Sequence, residues 1–320
     1  MSQPRFPNGT VVTIGNFDGV HLGHQALLNA TVNLGNKLGI PSVVLTFTPH
    51  PAFVHHPDTA PPLITSYDYR NELVLTHDPN QLHVLEYCLE FAAQTDEQFV
   101  QAYLVGQLNC KVLLLGPDAR FGHGKSGDLA KITALGAKYG FTVLGIDEVD
   151  IAGLDSSEIH NGTSAREGSA PEKISSTAIR AAIGKGDIPR ANAMLGRSHS
   201  IAGEVVHGAH RGTGLGFPTA NLGDIEGMVP GDGVYAGYLN GMPAAISIGT
   251  NPTFAGASER HVEAHVIGKE DLNFYGNWVS LEFLAKVRDT EKFESIDALI
   301  AQMRADVVVI SELAGHARTP

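Results

Sequence analysis

Along residues 10–147, short runs of β-branched and other apolar residues alternate with longer stretches in which apolar positions recur every three to four residues. The short runs, at 10–15, 42–47, 84–87, 111–115 and 142–147, read as strands, and 22–38, 95–108 and 129–139 read as helices between them. Strand and helix in alternation predict a parallel sheet covered on both faces, with ligands at the carboxyl ends of its strands. The rhythm stops over 151–173, where Gly, Ser, Asp, Asn and Glu collect, so an exposed, mobile loop is expected there. Two short helices follow over 175–195, with Ser176 or Thr177 as a cap and Gly184-Lys185-Gly186-Asp187 as the break between them. From His199 the texture changes to short strands separated by glycines, at 200–207, 233–239, 242–248, 262–267 and 278–287, the pattern of an antiparallel barrel or sandwich. Apolar residues at Ile296, Leu299, Ile300 and Met303 predict a closing helix over 295–312.

A chain of 320 residues with this change of texture suits two domains, each able to bury its own core. Hydrophobic residues at 43% and charged residues at 18% exclude an intrinsically disordered chain. The net charge of -12 argues against a nucleic-acid or anionic-membrane surface, which needs clustered Lys and Arg. The two cysteines, Cys88 and Cys110, lie in apolar surroundings and read as reduced core thiols. The first residues lack the charged flank and apolar stretch of a signal peptide, and no run approaches the roughly 20 apolar residues of a membrane span, so a cytoplasmic location is expected. Nothing in the sequence decides whether copies assemble into a homo-oligomer.

Candidate chemistry begins at Gly15-Asn16-Phe17-Asp18-Gly19-Val20-His21-Leu22-Gly23-His24, which follows a strand and opens a helix, the position of a phosphate site. His21 and His24 stand on one helical turn and can reach one ligand, while Gly23 would let a nucleotide approach the backbone between them. Without further company, two histidines near a helix start can equally cap it or face solvent. Farther on, Ser175-Ser176-Thr177-Ala178-Ile179-Arg180 offers hydroxyls and a guanidinium at a helix start to a polyphosphate. His50, His55 and His56 suggest a metal cluster, but no second set with ligand spacing supports one. In the C-terminal half, Gly212-Thr213-Gly214-Leu215-Gly216 alone would be a hairpin turn. Thr219 and Asn221 follow it two apart on an extended segment, so they face one way and present two neutral oxygens that suit Mg2+. Glu263, within a predicted strand, is a carboxylate able to accept a proton, or a plain surface charge.

These motifs resemble the bacterial bifunctional riboflavin kinase/FAD synthetases, whose N-terminal part is a nucleotidyltransferase with a His-x-Gly-His signature. The resemblance runs from about Val12 to Asp306 and includes Leu195-Gly196-Arg197, Gly216-Phe217-Pro218-Thr219-Ala220-Asn221, Gly233-Val234-Tyr235-Ala236, Ile248-Gly249-Thr250-Asn251-Pro252-Thr253-Phe254, Val262-Glu263-Ala264-His265 and Tyr275-Gly276. It implies an α/β fold, with a Rossmann-like FMN adenylyltransferase domain over 1–190 and a six-stranded antiparallel β-barrel riboflavin kinase domain with a C-terminal helix over 191–320. It implies riboflavin, FMN and FAD as substrates and products, ATP as co-substrate and Mg2+ as cofactor.

Carried over by motif, Gly15, Asn16, Phe17, His21, His24, Asp118, Ser176, Thr177 and Arg180 would hold the ATP of the adenylyl transfer. Gly214, Gly216, Thr219 and Asn221 would hold the ATP of the kinase, the last two with its metal. Glu263 would be the general base, and His50, Phe217 and Arg288 would border the flavins. The chain departs from the family pattern at Thr48, Ala119 and His210. Two rival readings remain: a kinase with an inactive N-terminal half, and a flavin-binding carrier without turnover. A role in tRNA aminoacylation, which also uses His-x-Gly-His, is disfavoured by the acidic charge.

Overall fold

Five of the apolar runs become one wholly parallel sheet: β1 (Thr10–Ile14), β2 (Ser42–Thr48), β3 (Gln81–Glu86), β4 (Cys110–Leu115) and β5 (Thr142–Gly145), in the order β3-β2-β1-β4-β5. All five residues of β1 are buried, as expected of a central strand covered on both faces. Helices α1 (Leu22–Leu38), α2 (Pro51–His55), α3 (Tyr67–Leu75), α4 (Leu89–Ala92), α5 (Asp96–Phe99) and α6 (Leu129–Tyr139) fill the connections. This computed structural model describes residues 6–116, 129–146, 173–208, 216–250, 260–269 and 274–317. The expected loop therefore lies outside the described residues except for Lys173, and so do Asp118, Ala119, His210 and Gly214.

The periodic segments at 22–38 and 129–139 match α1 and α6 residue for residue. The segment read as one helix over 95–108 differs: α5 passes into a π-helical stretch, Val100–Gln107. Its start is set by Thr95 and Gln98, which exchange side-chain and backbone hydrogen bonds in a capping box. Cys110 is buried, its thiol pushed up to about 12 by desolvation, which makes it inert; Cys88 is half-buried.

The C-terminal strands close into an antiparallel barrel in the order β10-β7-β6-β11-β8-β9. These are β6 (His199–Val206), β7 (Ala220–Glu226), β8 (Gly233–Leu239), β9 (Met242–Gly249), β10 (His261–Val266) and β11 (Trp278–Arg288). β7 was not among the runs read as strands, because Gly223, Asp224 and Glu226 dilute its alternation. Tyr235, Leu239, Ile246, Ile248, Leu281 and Phe283 fill the interior. The Tyr235 hydroxyl donates to the Gly231 carbonyl at 2.5 Å, which satisfies the polar end of a fully buried ring.

The helical pair α7 (Ser176–Lys185) and α8 (Ile188–Leu195) packs on the barrel. Ile188 is fully buried in the barrel core, and Asn192 donates to the Phe283 carbonyl while accepting from the His199 N–H. The chain accordingly divides into Met1–Pro61 with Tyr67–Ser175, and Pro62–Ser66 with Ser176–Pro320. The second unit thus takes in both helices, α8 packing on β6 and β11 and α7 on α8. The closing helix, α9 (Ile296–Ala317), packs on β8, β9 and β11.

Candidate active sites

In the first unit, strand order reverses beside β1: the chain steps outward to β2 and β3, then returns to β4 on the other side. The crevice at the carboxyl ends of β1 and β4 is where open α/β sheets take ligands. The loop leaving β1 carries three successive devices. Phe17, at φ 52°, turns its side chain into the core, where it is fully buried. Gly19 and Val20 also hold positive φ, and the chain then enters α1 with His21 as the cap residue.

Nδ1 of His21 accepts from the His24 N–H at 3.3 Å, so a neutral His21 keeps its proton on Nε2 as a donor. The two imidazoles stack, with centroids 3.6 Å apart, and the Phe17 edge supports His24 at 5.3 Å. Burial, and next the neighbouring His21, hold His24 well below the ordinary histidine range, so it is neutral at pH 7. The space above Gly23 differs from the expected nucleotide approach: a Cβ there would meet the His21 ring at 3.2 Å. Glycine at 23 makes room for the imidazole that folds back to cap the helix. Gly15 does the same for Phe17, whose ring lies 3.1 Å from the position of a Cβ.

His50 joins this loop from β2. It caps α2, with Nδ1 accepting from the Ala52 N–H at 3.1 Å, and its Nε2 stands 3.2 Å from the Asn16 carboxamide. The Asn16 atom at that distance is Nδ2, and the donor and acceptor roles of the pair depend on the tautomer of the ring. His55 pairs with the Tyr87 hydroxyl at 2.9 Å instead of with His50. Among the described residues no group of three His, Cys, Asp or Glu can hold a metal ion.

Arg70 was absent from the sequence reading, yet it ties the site together. It projects from α3 and is 3% exposed. Its guanidinium donates to the Phe47 carbonyl at 2.8 Å, to Thr48 Oγ1 at 3.0 Å, to the Asn16 carbonyl at 3.4 Å, and through two N–H groups to Asn71 Oδ1. All five donors are thereby used, so Arg70 pins the ends of β1 and β2 and has none left for a ligand. Burial pulls its pKa down, offset in part by Tyr67 and Asp18. An arginine on a short helix gives no sequence signal of burial.

The barrel unit carries the second cluster. Glu263 on β10 pairs directly with Asn221 on β7, and Ala264 with Ala220. Ala220 and Ala264 are buried, so by alternation Asn221 and Glu263 share the outer face. Thr219 precedes β7 on the same segment, and Gly216, at φ 85°, turns the chain toward it. The Asn221 carboxamide lies against Gly208, where a Cβ would stand 2.5 Å from its Cγ and 2.7 Å from its Oδ1. The sequence reading passed over Gly208, which looks like any strand-end glycine.

Five other expected site residues also belong to this second unit. α7 begins at Ser176, which places Ser176 and Thr177 in its first turn and leaves Ser175 at the cap position. Arg180 donates Nε to the Pro62 carbonyl at 2.8 Å. Phe217 packs edge-on against His265 at 5.3 Å. The Arg288 guanidinium grips the buried Asp306 of α9 through Nε and Nη2, at 2.9 to 3.1 Å, so it fastens the last helix to β11.

Comparison with known proteins gives two family matches: a profile described as FAD synthetase covers residues 3–159, and one described as riboflavin kinase covers 195–314. The chain is 33% identical over 312 residues to a bifunctional riboflavin kinase/FMN adenylyltransferase of Escherichia coli (strain K12), covering 96% of this chain and 93% of that one. The protein of the same name from Pseudomonas fluorescens is 33% identical over 314 residues, with coverage of 96% and 93%. A solved structure titled as a macrolide-efflux protein from Streptococcus pneumoniae superposes with a TM-score of 0.78 at 30% identity, over 95% of this chain and 94% of that one. No helix among the described residues is long and apolar enough to cross a membrane.

Proposed function

This chain belongs to the family of bifunctional riboflavin kinases/FMN adenylyltransferases, and from that membership we propose which of its residues carry each activity. It phosphorylates riboflavin to FMN with ATP in its C-terminal part and adenylylates FMN to FAD in its N-terminal part. The observation that carries the division of labour is that two chemistry-bearing clusters fall in two separate units: the stacked His21 and His24 beside β1, and the facing Asn221 and Glu263 on the barrel.

For adenylyl transfer, His21 offers Nε2–H to the phosphates of ATP at the positive end of α1, with the neutral His24 stacked against it. The FMN phosphate attacks the α-phosphorus and pyrophosphate leaves. The site's work is to hold the reactants in line and offset the charge that gathers on the departing phosphates. Gly15 and Phe17 shape the loop, and Asn16 is oriented by His50 and Arg70. Both nitrogens of His50 are engaged, so it would meet a flavin through its ring face. Asp118, Ser176, Thr177 and Arg180 are assigned to ATP by motif.

For phosphoryl transfer, Glu263 accepts the proton of the riboflavin ribityl hydroxyl as that oxygen attacks the γ-phosphorus of ATP and the bond to the β-phosphate oxygen breaks, releasing ADP. Thr219 and Asn221 present neutral oxygens beside this carboxylate, a donor set that fits Mg2+ arriving with nucleotide phosphates better than a cage built of protein alone. Mg2+ would neutralise phosphate charge there. Gly214 and Gly216 are assigned to the same ATP, and Phe217 with Arg288, which anchors α9, to the border of the flavin. The location is proposed as cytoplasmic, with small molecules as the partners.

A time course with riboflavin, ATP and Mg2+, resolving flavins by chromatography, tests the assignment. His24→Ala is expected to stop FAD formation while FMN accumulates. Glu263→Gln is expected to stop FMN formation while supplied FMN is still converted to FAD. Loss of both reactions from either single change in a folded protein would sink the two-site assignment.

A further inference from the structure

The seam between β7 and β10 closes the barrel at the residues assigned to the kinase, and it is short. Only Glu263 with Asn221 and Ala264 with Ala220 pair across it, whereas on its other side β10 pairs with β9 from His261 to Val266. Continuing the register would bring Val266 opposite Pro218, a residue with no N–H to give a ladder. The His265 side chain takes over at this point. Its Nδ1 lies 2.9 Å from the Pro218 carbonyl oxygen, and because a carbonyl only accepts, Nδ1 carries the proton and donates. The Phe217 ring packs its edge on the same imidazole, at 5.3 Å and 70°. One side chain thus grips the two residues that precede Thr219, from the same strand as Glu263 and, by alternation, from the same face.

We propose that His265 is a positioning residue for riboflavin phosphorylation: its Nδ1–H bond to the Pro218 carbonyl holds Thr219 and Asn221 in register with Glu263. The inference rests on the assignment of the kinase site to Thr219, Asn221 and Glu263. Its chemistry is specific to one donor atom, which gives a test that general packing would not satisfy. Asparagine places an amide N–H close to where imidazole Nδ1 stands, alanine removes ring and donor together, and phenylalanine keeps a ring for Phe217 but has no donor.

In the full chain, His265→Phe and His265→Ala should lower kcat for riboflavin phosphorylation about 10- to 100-fold, the range expected when a reacting group moves by about an ångström. KM for ATP should rise more than KM for riboflavin, and conversion of supplied FMN to FAD should keep its rate. His265→Asn should recover most of the kinase rate. Wild-type kinetics in His265→Phe, or His265→Asn performing no better than His265→Ala, would overturn the proposal. Asn221→Ala and Glu263→Gln measured alongside tell the two failures apart. If these leave the kinase untouched, the site assignment itself falls and the role of His265 with it. If they abolish the kinase while the His265 variants stay active, only the role of His265 falls.

Discussion

Replacing Gly208 with alanine would put a methyl group 2.5 Å from Asn221 Cγ and 2.7 Å from Asn221 Oδ1, where ordinary contact begins at 3.4 Å. The carboxamide must retreat by about 1 Å, and it can, being the end of a rotatable side chain and not backbone. The cost to folding is accordingly small. A strained rotamer costs about 1 kcal/mol, and the lost freedom of the unfolded glycine returns a similar amount. With Asn221 in the proposed kinase site, the cost to catalysis is not small, since a displacement of about 1 Å at a positioning group lowers rate by roughly 100-fold, or about 3 kcal/mol of activation free energy. Gly208→Ala should therefore unfold near the wild-type temperature, convert supplied FMN to FAD at the wild-type rate, and phosphorylate riboflavin far more slowly. The assay is the steady-state rate of FMN appearance at varied ATP, beside a thermal melt. A double-mutant cycle sharpens it: once Asn221→Ala has removed the carboxamide, adding Gly208→Ala should cost nothing further. Full kinase activity in the single variant, or an undiminished effect of Gly208→Ala without Asn221, would refute the reasoning.

Arg70→Lys should slow FMN adenylylation about 100-fold and leave riboflavin phosphorylation intact, because an ammonium cannot reproduce five planar donors aimed at four acceptors; equal loss of both activities would refute this. His199 supplies a pH test. Desolvation, less the help of the Met228 carbonyl at 2.7 Å, holds it at about 4, so folded His199 stays neutral where the unfolded chain, near 6.5, takes up a proton. Its stabilisation is complete above pH 6.5 and falls by about 3 kcal/mol as pH drops to 4. His199→Gln, which keeps an N–H for Met228 and does not titrate, should flatten that decline in urea unfolding; identical acid sensitivity of the two proteins would refute it.

What could be read from the sequence follows from how each signal is generated. α1 and α6 were legible to the residue because long apolar periodicity is a local property that tertiary contacts only reinforce. β7 was not, since Pro218 precedes it and Gly223, Asp224 and Glu226 interrupt it; its strand character comes from pairing with β6 and β10. α3 was missed for a related reason: it buries Arg70 and Val74, and a charged residue at a buried position inverts the pattern that periodicity detects. The docking of α8 on β6 and β11, strands later in the chain, is a choice no local window contains.

The same distinction governs the sites. His21, His24, Thr219, Asn221 and Glu263, the residues proposed to serve the two reactions, stand out in the sequence through the family motifs they sit in. Arg70, Gly208 and His265 do not stand out, because they act on those residues through a carbonyl, a bare α carbon and a proline that come together only in the fold. Each is of a type that elsewhere serves as a surface charge, a turn or a solvated ring. On the proposed assignment, substituting them moves the reacting groups without deleting any. A loss of rate with binding chemistry intact therefore measures how much of the catalysis is geometry, which deletion of His24 or Glu263 cannot do.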